Sequence, residues 1–404
     1  MGEGKNITAR KAAFTVLKRL RNNGYTAFYA GGCVRDMLIG REPKDYDIAS
    51  DARPEEVESL FRRTVSVGAQ FGVVLVMIKA HQIEVAAFRS DWGYTDGRRP
   101  DTITFTSPEE DAKRRDFTIN GMFFDPIEDR VFDYVGGRED LEKGIIRTIG
   151  NPQERFEEDF LRMLRAVRFS AELGFEIEGQ TLEAVSEFSE RISRISSERI
   201  AVELEKIFLS PSPALGIRLL IQTGLSVGIF QHNFNEKSHG LSLLDFYGRS
   251  VSLEMGILLL FISDWQKAEQ FARRLKLSSK SLGLIEWCRD NYSKLDCPDM
   301  ALHKFRKLIA DERFGFLFEL RRAYQAFIGE PDDNLQIIKE RQEGFAGKEI
   351  LPKPFINGRD VINLGANPGP EIGDVLEKVY NAQLDFEVSS PEQALKLAKS
   401  LIEP

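Results

Sequence analysis

The sequence predicts an α+β protein, with a small mixed sheet and its helices over residues 1–150 and helices alone thereafter. Three observations carry this. Short runs rich in Val, Ile and Phe, several with period-two patterning, crowd into residues 26–135. From Asn151-Pro152 onward apolar residues recur at helical spacing and strand signals all but vanish. A chain of 404 residues also has room for two to four domains at roughly 100–200 residues each.

Residues 7–21 have helical apolar spacing and stop at Asn22-Asn23-Gly24. Residues 26–30 make a short apolar strand ending at Gly31-Gly32, and 34–39 give one or two helical turns. A short strand covers 46–49, residues 71–78 and 82–89 form a hairpin about His81, and 102–106 and 131–135 are further strands. The first long helix spans 154–173, and helical runs continue from 180 to 310. A stretch rich in Pro and Gly over 344–370 sets off a last helical unit, in which Asn357-Gly358-Arg359-Asp360 caps one helix and 371–384 forms another. The expected division is 1–150, 151–210, 211–345 and 346–404.

Hydrophobic content of 42% with 29% charged residues excludes wholesale disorder. No apolar run approaches the roughly 18 residues of a membrane span, and the start MGEGKNITARKAAF lacks the apolar core of a signal peptide. The expected location is the cytoplasm, with no membrane partner and no obligate protein partner. Cys33, Cys288 and Cys297 are too few and too scattered for a disulfide scaffold or a cysteine zinc site, and four histidines exclude a His-rich centre. A net charge of −8 argues against indiscriminate coating of nucleic acid and leaves room for a local basic grip.

Chemistry concentrates in four places. Gly31-Gly32-Cys33-Val34-Arg35-Asp36 ends a strand and opens a helix, a turn whose bare backbone lets N–H groups approach phosphate oxygens while Arg35 adds a positive fork. Asp45 and Asp47, two apart at the start of a strand, point to one face, as a Mg²⁺ site for nucleotide chemistry requires. Glu84, between Ile83 and Val85, either caps a sheet edge or is a third acid facing the metal. In Arg114-Arg115-Asp116-Phe117-Thr118-Ile119-Asn120 the paired arginines suit a ribose or phosphate contact, with Asp116 orienting one of them. On the helix from Glu154, Asp159, Arg162, Arg165 and Arg168 form one drifting stripe. An Asp159–Arg162 ladder leaves Arg165 and Arg168 without carboxylates of their own.

GGCVRD…DYD, RRDFTIN and EEDFLRMLRAVRF, in this order over roughly residues 25–210, resemble the class II tRNA nucleotidyltransferase and bacterial poly(A) polymerase superfamily. The stretch NGRDVINLGANPGPEIGDVLEKVYNAQLDFEV resembles the same family's C-terminal region. The resemblance implies a polymerase-β-like nucleotidyltransferase head, then helical neck, body and tail arranged around a tRNA acceptor arm. It implies two Mg²⁺ ions on Asp45 and Asp47, with ATP and CTP as substrates. Gly31, Gly32 and Arg35 would hold the triphosphate, Arg114, Arg115 and Asp116 would serve the nucleotide, and Asp159 and Arg162 would read the base beside Arg165 and Arg168. The expected activity is addition of C and A to tRNA 3′ ends. Alternatives are an A-adding partial enzyme, a poly(A) polymerase, or a silent RNA-binding scaffold.

Two departures bear on this. Residues 239–264 lack the adjacent His-Asp pair of relatives that carry a phosphohydrolase unit, so the body is expected to be a scaffold without that activity. The long polar segment between Arg89 and Arg114 resembles the loop of full CCA-adding enzymes, and Gly68-Ala69-Gln70-Phe71-Gly72-Val73 replaces the basic stretch typical of the polyadenylating branch. The basic segments 266–280 (Lys267, Arg273, Arg274, Lys276) and 303–307 (Lys304, Arg306, Lys307) are expected to track acceptor-arm phosphates.

Overall fold

Helix α1 (Ala9–Asn22) sets the first layer: Thr8 caps it, and Ala12, Ala13, Val16, Leu17 and Leu20 form one buried stripe. The computed structural model describes residues 7–65, 72–92, 102–232, 234–235 and 237–402. Two units emerge, one comprising 1–241 with 248–253, the other 242–247 with 254–404.

In the first unit β1 (Ala27–Ala30) runs into α2 (Gly32–Leu38), and β2 (Asp47–Ser50) into α3 (Pro54–Leu60). Then come β3 (Thr64–Val65), β4 (Val73–Ile78), β5 (His81–Ala87), β6 (Arg89–Trp92) and β7 (Thr102–Phe105). Helix α4 (Pro108–Lys113), β8 (Phe123–Asp125), β9 (Arg130–Phe132) and α5 (Gly137–Lys143) complete the head. Seven strands join in the order β3-β4-β5-β2-β1-β8-β9, with β2 and β5 parallel and the other neighbours antiparallel. One sheet face packs on α1 through Tyr29, Ile48, Val74, Val76, Ile83 and Val85. Phe28, Ala30, Ala49, Phe88 and Phe123 make a smaller core with Ala112 of α4.

The details correct several expectations. Strand β2 begins at Asp47, so Asp45 lies in the bend before it. The β4–β5 turn is Lys79-Ala80, with Lys79 at φ 56°, and His81 already pairs with Ile78. Strands β6 and β7 form a separate two-stranded ribbon. Residues 68–71 and 93–101, on which the distinction from polyadenylating relatives and part of the long loop rest, lie outside the described residues.

The largest correction is at 154–173. This is two helices, α6 (Pro152–Glu158) and α7 (Leu161–Leu173), parted at Asp159, whose backbone is extended at φ −155°, ψ 104°. Asp159 Oδ1 accepts the Leu161 N–H at 3.0 Å, the local bond by which Asp competes with a continuing helix. Apolar spacing persists through the break, so periodicity alone reads one helix. Helices α8 (Gly179–Glu187) and α9 (Ser197–Phe208) follow.

The second unit contains helices and no strand among its described residues. Its last three, Gly358–Asn363, Pro370–Leu384 and Pro391–Ile402, share a core of Val361, Val375, Val379, Ala394 and Ala398, and Asn357 with Asp360 forms the expected capping box. The basic segments here are largely neutralised: Lys267 pairs with Asp264, Arg273 with Glu269 and Glu286, and Lys307 with Glu377. Arg306 is a structural residue instead of a phosphate contact: it is buried and donates to the carbonyls of Glu349, Ile350 and Leu384. No described helix is long and apolar enough to cross a membrane.

Candidate active site

At Gly31 the chain turns from β1 into α2 with φ +73°, a conformation that favours glycine. A Cβ there would also stand 2.9 Å from Arg115 Nη1, so the missing side chain is the space Arg115 occupies. One turn on, Arg35 is 8% exposed. It donates through Nη1 to Asn120 Oδ1 at 2.9 Å and through Nε and Nη2 to Asp36, and lies over the Phe169 ring.

Parallel pairing of β2 with β5 sets Asp47 beside Glu84 on the sheet face opposite Ile48 and Val85. Glu84 is thus a partner of Asp47 and not an edge cap. Burial against the cavity walls, then the charges of Glu84 and Asp45, push the Asp47 carboxyl up to about 6. Burial also raises Glu84, opposed by Arg89 and Arg115. Asp45 is exposed, as Asp47 and Glu84 also are at the cavity mouth, and its charge reaches Asp47 from just outside the lining.

The paired arginines are oriented by Asp111, not by Asp116. Asp111 is fully buried within α4; its Oδ1 accepts from Arg114 Nη2 at 2.7 Å and its Oδ2 from Arg115 Nη2 at 2.9 Å. Asp116 instead faces α7: Oδ2 accepts from Arg165 Nε at 2.9 Å, and Oδ1 takes the Phe117 N–H and the Asn120 amide. The Arg165 guanidinium and these bonds outweigh burial and hold the Asp116 carboxyl far below the usual range.

Around the helix break Asp159 and Arg162 pair with other residues and not with each other. Asp159 Oδ2 accepts from Arg199 of α9 at 2.6 Å. Arg162 gives Nη1 to Glu158 and to the Arg155 carbonyl. Arg165 and Arg168 do have carboxylates: Glu203 of α9 lies 3.9 Å from Arg165 and 3.3 Å from Arg168, and Arg165 also holds Asp116. Arg155 ties this neck to the head by donating to the carbonyls of Arg114 and Arg115. Burial, then the neighbouring Arg165 charge, lower Arg168, opposed by Glu203 and Glu172.

All these groups open onto one cavity of about 750 Å³ in the first unit. Of the predicted site residues Gly31, Gly32, Arg35, Asp47, Glu84, Arg114, Arg115, Asp116, Asp159, Arg162, Arg165 and Arg168 line it, and Asp45 does not. Ten basic against five acidic side chains make it a receptor for a polyanion within an acidic chain. Sequence reasoning missed Asp111, Arg199 and Glu203 and gave Asn120 no role. Asp111 had a signal, standing three and four residues before the two arginines; Arg199 and Glu203 had none.

The description "Poly A polymerase head domain" matches residues 27–147, and "Probable RNA and SrmB- binding site of polymerase A" matches 174–233. The CCA-adding enzyme of Lactobacillus johnsonii is 33% identical over 395 residues, 95% of each chain. That of Geobacillus stearothermophilus is 34% identical over 390 residues, again 95% of each. The crystal structure of the Bacillus stearothermophilus CCA-adding enzyme in complex with CTP superposes with a TM-score of 0.80 at 30% identity, covering 98% of both chains.

Proposed function

Since the chain belongs to the family of CCA-adding enzymes, we propose that the head cavity is the centre at which it works. The protein is a tRNA nucleotidyltransferase that adds C and A to tRNA 3′ ends from CTP and ATP. The observation that supports this placement is the Asp47–Glu84 pair facing a wall of arginines.

Two adjacent carboxylates with a raised pKa suit Mg²⁺, which takes one or two carboxylates and leaves its other positions to water and phosphate. No group of three or more His, Cys, Asp or Glu set to hold a metal occurs among the described residues. Asp45 and Asp47 would hold the two Mg²⁺ ions, with Glu84 beside Asp47 as a third acid. When bound, the ions supply Lewis acidity at the RNA 3′-hydroxyl and neutralise the triphosphate.

The chain's own residues then hold and select the nucleotide. Gly31, Gly32 and Arg35 receive the triphosphate, with Arg114 and Arg115 from the opposite wall. Asp159 and Arg162 read the base. C and A both present an exocyclic amino donor beside a ring-nitrogen acceptor, whereas U and G present a carbonyl beside an N–H. A carboxylate accepts only and a guanidinium donates only, so this pair fits C and A and leaves unpaired groups against U and G. Asp159 has a second lone pair on each bonded oxygen, and Arg162 has Nη2 beyond its bonded Nη1. We also propose a functional division into head (1–150), neck (151–210), body (211–345) and tail (346–404), acting in the cytoplasm.

Incubating tRNAs that lack zero, one, two or three terminal nucleotides with each NTP tests the reading. Products should stop at a completed CCA end, with no extension by UTP or GTP. Unlimited A tails from ATP alone would replace it with polyadenylation.

A further inference from the structure

Asp111 is a fully buried carboxylate outside the cavity lining that holds two residues of that lining at once. Arg114 donates to Oδ1 through Nε and Nη2 at 2.9 and 2.7 Å, and Arg115 to Oδ2 through Nε and Nη2 at 3.1 and 2.9 Å. Each arginine therefore converges two N–H groups on its own oxygen, a geometry that restrains the plane of the guanidinium. The backbone N–H of Arg89 reaches Oδ1 as well, at 3.2 Å, and the Arg89 carbonyl accepts from Arg114 Nε at 2.9 Å. Arg89 opens β6 and Asp111 lies in α4, so the chain's excursion between them leaves and returns at this carboxylate.

Besides Asp111, Arg114 donates to the Arg89 carbonyl, and Arg115 to the Asn120 carbonyl at 3.4 Å while lying over the Phe123 ring. Arginine side chains carry large rotamer freedom, and holding them ready removes an ordering cost from ligand binding.

We propose that Asp111 is a positioning residue for nucleotide binding: it aims Arg114 and Arg115 together at the triphosphate and fastens them to the root of the 89–111 excursion. The inference rests on the nucleotide-binding role given to this cavity above. Asp111 touches no substrate and acts through the two arginines, so its effect belongs to the nucleotide and not to the RNA.

The test is direct binding of CTP and of ATP to the full chain by calorimetry, with tRNA binding and thermal unfolding measured beside it. Asp111→Asn keeps the shape but turns a donor toward one arginine. It should weaken both nucleotides at least tenfold and leave tRNA affinity within twofold. In an Arg114→Gln/Arg115→Gln background the same change should cost less than threefold, because both paths are already gone. Asp111→Glu, which restores the charge one methylene out of place, should recover part of the loss and serves if the asparagine variant fails to fold. Unchanged nucleotide affinity with a lowered Tm, or full additivity with the double arginine change, would overturn the inference. Failure of the unmodified chain to bind CTP would instead overturn the nucleotide-site reading beneath it.

Discussion

Asp47 and Glu84 stand abreast on two parallel strands contributed by chain segments 37 residues apart, and among the described residues neither has a cation hydrogen-bonded to it. The nearest positive charges, Arg115 and Arg89, act on them from a distance. Two like charges in that register disfavour the ionised sheet until something positive arrives.

Removing either acid should therefore abolish chemistry without harming the fold. Asp47→Asn and Glu84→Gln should each lower CTP and ATP incorporation by roughly 10³-fold, equivalent to several kcal/mol of lost metal-assisted stabilisation. A filter-binding assay should find tRNA affinity unchanged. Retention of more than a few per cent of the rate would remove that residue from the site.

The raised Asp47 pKa carries a sign. Between its ordinary value of 3.8 and about 6, the folded chain holds a proton that the unfolded chain has released. In that window stability falls as pH rises, and above it the ionised group remains a cost. Urea unfolding in EDTA should show this slope in the unmodified chain and a shallower one in Asp47→Asn. Identical slopes would mean that Asp47 titrates normally.

Base selection should depend on Arg199 as well as on the two reading groups. Arg199 donates to one oxygen of Asp159 and fixes the direction of its carboxylate. Arg199→Ala, like Asp159→Ala and Arg162→Ala, should narrow the C/A-over-U/G ratio in kcat/KM by roughly 10–100-fold, the value of one or two hydrogen bonds in a dry site. An unaltered ratio with a uniform loss for all four nucleotides would reduce the group to a structural ion pair.

Gly31→Ala meets two obstacles: a positive φ and Arg115 Nη1 at 2.9 Å. The first costs about 1–2 kcal/mol of stability. The second displaces the guanidinium, so KM for both nucleotides should rise while KM for tRNA holds. Steady-state kinetics beside a melting curve separates the two effects.

Glu203→Gln should be the most destabilising of these changes, by about 3 kcal/mol, because it strips charge compensation from the buried Arg168 and from Arg165. Chemical denaturation measures it. A loss below the uncertainty of the fit would show that the two arginines do not need it.

Much of this was legible in the chain because the relevant bonds are local. Gly31-Gly32 demands a turn whatever surrounds it, and the capping box at Asn357 and Asp360 lies within three residues. The sheet order was not legible, and with it went the role of Glu84: which strand lies beside β2 is a tertiary fact, and β5 arrives after β3 and β4. Asp159 misled for the opposite reason. A periodic apolar face reports burial, not continuity, so a single extended residue between two helices leaves the pattern intact. Asp116 was paired with its sequence neighbours when its partner, Arg165, lies 49 residues on.

The extended residue at 159 also acts as an index mark. A helix turns about 100° and advances about 1.5 Å with each residue, so α7 presents its arginines in a phase counted from that mark. Arg155 anchors the near side of the count to the head. Lengthening or shortening the 158–161 joint by one residue would dial Arg162, Arg165 and Arg168 away from the cavity together while changing none of them. In this protein the number of residues across the joint is as much a part of the nucleotide reader as their identities.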